Sequence, residues 1–142
     1  MTRNITSLSF ISSDTDQAGE AAARLASLYG QTSAQDADVI VALGGDGFML
    51  QTLHDTMDTG KLVYGMNQGS VGFLLNEYRE EGLRERVNAA VENHIRPLEM
   101  IATDTEGCTV DAYAINEVSL FRQSYQAAKL RVLIDGHVRL EE

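Results

Sequence analysis

With one cysteine, Cys108, the chain cannot close a disulfide within itself, so covalent staples are excluded and a reducing compartment is expected. A lone thiol of this kind reads as a packing residue. Basic residues are also scarce: 11 Lys and Arg stand against 21 Asp and Glu, a formal net charge of -10. That balance argues against nucleic acid or an anionic membrane surface as partner. It also means that an anionic ligand must be held by backbone dipoles, a few basic groups or a bound cation. No apolar run is long enough to cross a bilayer, and no h-region follows Met1-Thr2-Arg3-Asn4. A cytoplasmic protein is therefore expected. Proline occurs once, at Pro97. Repeats and low-complexity tracts are absent, and so is the P-loop pattern G-x-x-x-x-G-K-[ST].

What is present is 142 residues with an ordinary apolar share of 44%, enough for one domain or one domain and part of another. They are organised around Val39-Ile40-Val41-Ala42-Leu43-Gly44-Gly45-Asp46-Gly47-Phe48-Met49-Leu50. The apolar run suits a strand buried on both faces, as in parallel sheets. Gly44, Gly45 and Gly47 lack Cβ, so they can take φ > 0 and let a ligand touch the backbone. A helix starting there aims free N–H groups and its positive dipole end at the turn, which makes a phosphate site. Asp46 is the odd member. Phosphate repels a carboxylate, so its role is that of a metal ligand or of a base for a hydroxyl, unless it merely caps the helix.

Before this turn, residues 5–11 read as a strand. Asp14 and Gln17 have the spacing of an N-cap and its N3 partner. Ala18, Ala21, Ala22, Leu25, Leu28 and Tyr29 fall on one helical face, with Gly30 as stop. After the turn, a helix over about 48–57 should face Leu50, Leu53 and Met57 inward. The turn Asp58-Thr59-Gly60 leads to a short strand over 62–66. A second glycine loop follows, Asn67-Gln68-Gly69-Ser70-Val71-Gly72-Phe73-Leu74. Leu83, Val87, Ala90 and Val91 mark a third helix within roughly 79–93. This alternation predicts a parallel sheet with right-handed crossovers and a ligand at the carboxyl ends of the strands.

Near Arg96 the helical period ends. Residues 98–103, 108–115 and 118–122 are candidate strands, the last two flanking Asn116-Glu117. Leu130, Val132 and Ile134 alternate, Asp135-Gly136 is a hairpin signal, and Val138 and Leu140 alternate again. The fold class is thus α/β: a parallel-sheet nucleotide-binding domain over 1–95, then over 96–142 the start of an antiparallel β domain, incomplete.

Residues 45–50 half-match the dinucleotide fingerprint G-x-G-x-x-G, without its third glycine. The turn holds no lysine, so phosphates would lean on N–H groups and Mg²⁺. His94 and His137 sit by a helix end and a turn and suggest no metal triad, His54 reads as solvated or satisfied and not catalytic, and Glu80, Glu81 and Glu85 read as a solvated face.

Gly44-Gly45-Asp46-Gly47 resembles the signature of the NAD kinases. Asn67-x-Gly69-x-x-Gly72-Phe73-Leu74 resembles their second glycine motif, and Asn116-Glu117 their third. Phosphofructokinases and diacylglycerol or sphingosine kinases share the first turn alone, so the three motifs in order carry the specificity. The similarity extends along essentially the whole chain, including its linking text.

The resemblance implies a kinase that moves the γ-phosphoryl of ATP, or of polyphosphate in some members, to the 2′-hydroxyl of NAD's adenosine ribose, with Mg²⁺ or another divalent cation. Asp46 would be the base, and the glycines would cradle phosphate. Asn116 and Glu117 would hold ribose hydroxyls. Asn67 and Phe73 would supply a polar contact and an apolar wall near the adenine, although Phe73 suits the core equally. A homo-oligomer is implied for the full-length protein. Phe48 stands where many relatives have threonine, so no phosphate contact is assigned there. The family's β domain also continues beyond this length, so part of the NAD pocket is missing and strand edges are open. A lipid kinase sharing the glycine turn and a non-catalytic nucleotide-binding fragment are the alternatives.

Overall fold

The computed structural model describes residues 4–67, 69 and 73–141, in two compact units, Met1–Pro97 and Leu98–Glu142. In the first unit β1 (Leu8–Ser12), β2 (Val39–Leu43), β3 (Leu62–Asn67) and β4 (Asn76–Glu77) form an all-parallel sheet in the order β1-β2-β3-β4. Helices α1 (Asp16–Tyr29), α2 (Asp46–Thr56) and α3 (Leu83–Ala89) cover it. All five residues of β2 are buried, as a run of β-branched and apolar side chains between two neighbours requires.

Two clusters form the core. Ala18, Ala21 and Leu25 of α1 and Leu83 and Val87 of α3 pack with Leu8, Phe10, Val39, Val41, Leu43 and Met66 on one face. On the other, Met49 of α2 packs with Ala42 and Leu75. Each Leu, Val, Phe or Met among them, fully buried, is worth about 1.5–3 kcal/mol. The sheet order advances steadily from β1 to β3 while α1 and α2 lie on opposite faces. The two crossovers therefore have opposite hands, and the expectation that all are right-handed is corrected. Small side chains make room for α2 on its face: a Cβ built on Gly65 would lie 2.5 Å from Leu75 Cδ2 and 2.9 Å from Met49 Sδ.

Several local expectations also change. Thr15, not Asp14, is the N-cap of α1, its hydroxyl accepting from the Ala18 N–H at 3.3 Å. Leu28 is 61% exposed rather than inward, because the sheet is already covered by Leu25 and Ala21. Helix α2 begins two residues earlier than its apolar pattern implied, and its packing against Ala42 and Leu75 buries Met49, with Thr52 also buried, in place of Leu50. Helix α3 is shorter than expected and leaves Ala90 and Val91 outside it. Its first amide is met by a side chain from α1, with the Leu83 N–H donating to Tyr29 Oη at 3.2 Å. Strand β4 is too short to show any alternation in sequence.

Two side chains fix β1. Gln31 accepts from the Phe10 N–H at 3.0 Å and donates to the Phe10 carbonyl at 3.2 Å, so an amide side chain takes the place of a neighbouring strand. At the other end Asp38 Oδ2 accepts from the Ser7 and Thr6 N–H groups, both at 2.9 Å, and from the Thr6 hydroxyl at 3.0 Å. The Ser7 amide first, then that of Thr6, holds the Asp38 carboxyl well below the usual carboxylate range.

In the second unit β5 (Leu98–Thr103) pairs antiparallel with β6 (Thr109–Ala114), and β7 (Arg131–Ile134) with β8 (His137–Glu141). Asp135 and Gly136 both take positive φ, 50° and 77°, as a two-residue hairpin turn demands. The strand expected over 118–122 does not form: 115–130 carries no regular structure, and Leu120 and Phe121 are exposed. Among the described residues nothing buries those apolar side chains, so they offer no gain from an extended, paired backbone. Each hairpin is a two-stranded sheet with exposed apolar residues such as Ile101, Val110 and Leu133.

Gly65→Ala forces Leu75 and Met49 to repack and should cost about 1–3 kcal/mol, read as a lowered midpoint in thermal or urea unfolding. Asp38 has its carboxylate form favoured by folding, so its contribution is complete above the ordinary aspartate range and is lost as pH falls toward the depressed value. Asp38→Asn should accordingly be less stable than wild type at neutral pH, with the gap closing in acid unfolding curves.

Candidate functional site

Strand β2 delivers its last residue, Leu43, to the carboxyl edge of the sheet, and the chain turns there within two residues. The turn is anchored on both sides: the Gly44 N–H donates to the Met66 carbonyl of β3 at 3.1 Å, and Leu43 accepts from the Ser13 N–H after β1 at 2.9 Å. Gly45 is the N-cap of α2 and offers no side-chain oxygen to the helix. The opening amides of α2 have no intrahelical acceptor, so they and the helix dipole face the space above the turn.

The three glycines divide into two kinds. None has positive φ, so the conformational freedom anticipated for them is not what they supply. At Gly44 a Cβ would lie 3.0 Å from Phe48 Cβ, so a larger residue there would press on Phe48 and packing within the chain favours glycine. At Gly45 and Gly47 it would meet nothing within 4 Å, and Gly45 has ordinary extended backbone, φ -90°. Neither fold nor strain requires glycine at 45 and 47. Their bare backbone leaves the space above the turn open.

Asp46 lies in the first turn of α2 rather than capping it. Its Oδ2 accepts from the Phe73 N–H at 3.3 Å. Its Oδ1 is buried and has no hydrogen-bond partner among the described residues. A carboxylate oxygen left so is an acceptor awaiting a donor. Asn67 closes β3 at the same edge, next to β2, and its side chain accepts from the Gly69 N–H at 3.1 Å. The Phe73 ring is fully exposed, which removes its core reading. Gly72, the other glycine of the second motif, lies outside the described residues.

The first unit thus gathers Gly44, Gly45, Asp46, Gly47, Asn67 and the Phe73 backbone at one sheet edge. Asn116 and Glu117 belong to the second unit, exposed in the irregular stretch after β6. Sequence reasoning missed two supports of the site. One is Gly65, whose place in an apolar strand was the available signal for a close approach. The other is the Phe73 amide, for which a backbone donor leaves no side-chain signal at all.

The chain is 62% identical over 136 residues to a protein named NAD kinase from Mesorhizobium japonicum, covering 96% of this chain and 53% of that protein. It is 60% identical over all 142 residues to one from Rhizobium meliloti, covering 55% of it, and 55% identical over 138 residues to one from Caulobacter vibrioides, covering 97% of this chain and 53% of the relative. The chain belongs to the NAD kinase family. It spans about half the length of the curated relatives it matches. No protein-family model matches it. Among the described residues, no helix is long and apolar enough to cross a membrane.

Gly47→Ala separates folding from access. Alanine at this helical position should stabilise the chain by about 0.5–1 kcal/mol, while its methyl group enters the open space above the turn. A raised unfolding midpoint together with weaker binding of ATP by calorimetry is the expected pair of results.

Proposed function

We propose that this chain is the nucleotide-binding, base-bearing half of an NAD kinase, which transfers the γ-phosphoryl of ATP to the 2′-hydroxyl of NAD's adenosine ribose and so makes NADP. The observation that carries this reading is the Oδ1 of Asp46, buried and without a partner among the described residues, beside the start of α2. A secondary alcohol is a poor nucleophile. A carboxylate within reach takes its proton as the oxygen attacks the γ-phosphorus, and ADP departs with the electron pair of the broken P–O bond. Little other covalent work is needed, because phosphoryl transfer is chiefly positioning and charge neutralisation. The bare backbone at Gly45 and Gly47 receives phosphate oxygens, with Gly44 shaping the turn. Asn67 and Phe73 border the nucleotide, and Asn116 and Glu117 have the amide and carboxylate suited to paired ribose hydroxyls.

Among the described residues no three His, Cys, Asp or Glu side chains come together to hold a metal ion. The cation we propose would arrive with the nucleotide, as Mg²⁺ does on phosphates. Bound there, it neutralises phosphate charge that a chain of net charge -10 and a lysine-free turn do not offset. We place the activity in the cytoplasm and, at the length of the relatives, in a homo-oligomer. Turnover requires the further residues that the relatives carry, and the present chain binds nucleotide without completing the NAD pocket.

NADP formation from NAD, ATP and Mg²⁺ should appear in a version extended to the length of the relatives and be lost, or nearly so, in the 142-residue chain. In the extended version Asp46→Asn should abolish turnover while leaving NAD binding largely intact. Full activity in that variant ends the base assignment, and a phosphorylated lipid without NADP would replace the substrate.

A further inference from the structure

We propose that the backbone N–H of Phe73 is a positioning group for Asp46: by engaging Oδ2, it fixes the carboxylate so that Oδ1 is the oxygen that receives the proton. This rests on the reading of Asp46 as base and adds the element that orients it. Free rotation about the Cβ–Cγ bond exchanges the two carboxylate oxygens. A donor on one of them stops that exchange. Here the donor comes from 27 residues away, at 3.3 Å, and among the described residues Oδ1 has no partner of its own. The remaining oxygen is buried and has no partner among the described residues, so it is held ready for an incoming donor. Because the donor is main chain, it belongs to the second glycine motif whatever ring stands at 73, and that ring is fully exposed. The same bond joins the first glycine turn to the end of the second, so each sets the other's place. A reacting group displaced even slightly from its productive geometry loses much of its effect.

Amide hydrogen exchange at position 73 in the 142-residue chain reads the bond without any turnover. It should be slow in wild type and in Asp46→Asn, whose side-chain oxygen can accept the same bond. In Asp46→Ala it should be at least about tenfold faster. Equal exchange in all three overturns the proposal. In the extended version, Phe73→Pro removes the N–H while Phe73→Ala keeps it and removes only the ring. The kcat of the proline variant should fall at least about tenfold below that of the alanine variant, at a similar KM for NAD. Equal kcat values, or a difference confined to KM, also overturn it. A proline variant that does not fold leaves the decision to the exchange comparison. The two readings fail separately: Asp46→Asn with full turnover removes the base, whereas the positioning bond stands or falls on exchange at 73 and on the kcat split.

Discussion

Burial of β2 on both faces is the constraint on which the first unit depends. Five apolar residues in a row cannot leave the interior, so the strand must lie between β1 and β3 with helices above and below. The chain can then emerge only at the sheet's edge, and it does so at Gly44. From there α2 starts almost at once, which brings its opening amides and Asp46 to the edge where β3 also ends, at Asn67. The site is a consequence of how a doubly buried strand is obliged to stop.

The glycines of that turn divide structural from ligand-directed necessity. Gly44 answers to Phe48, a neighbour within the fold. Gly45 and Gly47 answer to no neighbour among the described residues, although a glycine within a helix, as at Gly47, is a loss that alanine would avoid. In the proposed chemistry that loss is offset by phosphate drawn close to the backbone. An acidic chain has particular need of such an arrangement. Oriented peptide dipoles attract an anion at short range without altering the overall charge.

The sequence made the strand of five buried residues, the glycine turn, the change of style near Pro97 and the Asp135-Gly136 hairpin legible, because each depends on local chemistry. Burial of Val39–Leu43 follows from composition, and a hairpin turn follows from two residues able to hold positive φ. What was misread depends on distant partners. The start of α2 was placed too late because Asp46 and Gly47 look like loop residues, although the helix begins on them. The faces of α1 and α2 are assigned by which side of the sheet has room, a fact held by Ala42 and Gly65 rather than by either helix. Strand β4 exists only through its register with Met66 and Asn67. Within the site, the motifs named the residues that the sheet edge brings together in the first unit, while the bond between Asp46 and the Phe73 amide left no trace in them. In the second unit, alternation over 130–140 was informative, whereas the apolar residues of 118–122 stay irregular.

The Gln31 side chain on Phe10 has a further effect on what the sheet can do. Strand β1 is the outermost member on its side, and an outermost strand normally presents a row of donors and acceptors to any passing chain. A single amide fills two of those positions, and the Thr32 N–H fills a third on the Leu8 carbonyl at 3.0 Å. At the opposite margin β4 has only two residues to offer. The sheet is stoppered at one rim and too brief at the other, so copies of this unit that meet in solution have little backbone with which to continue it.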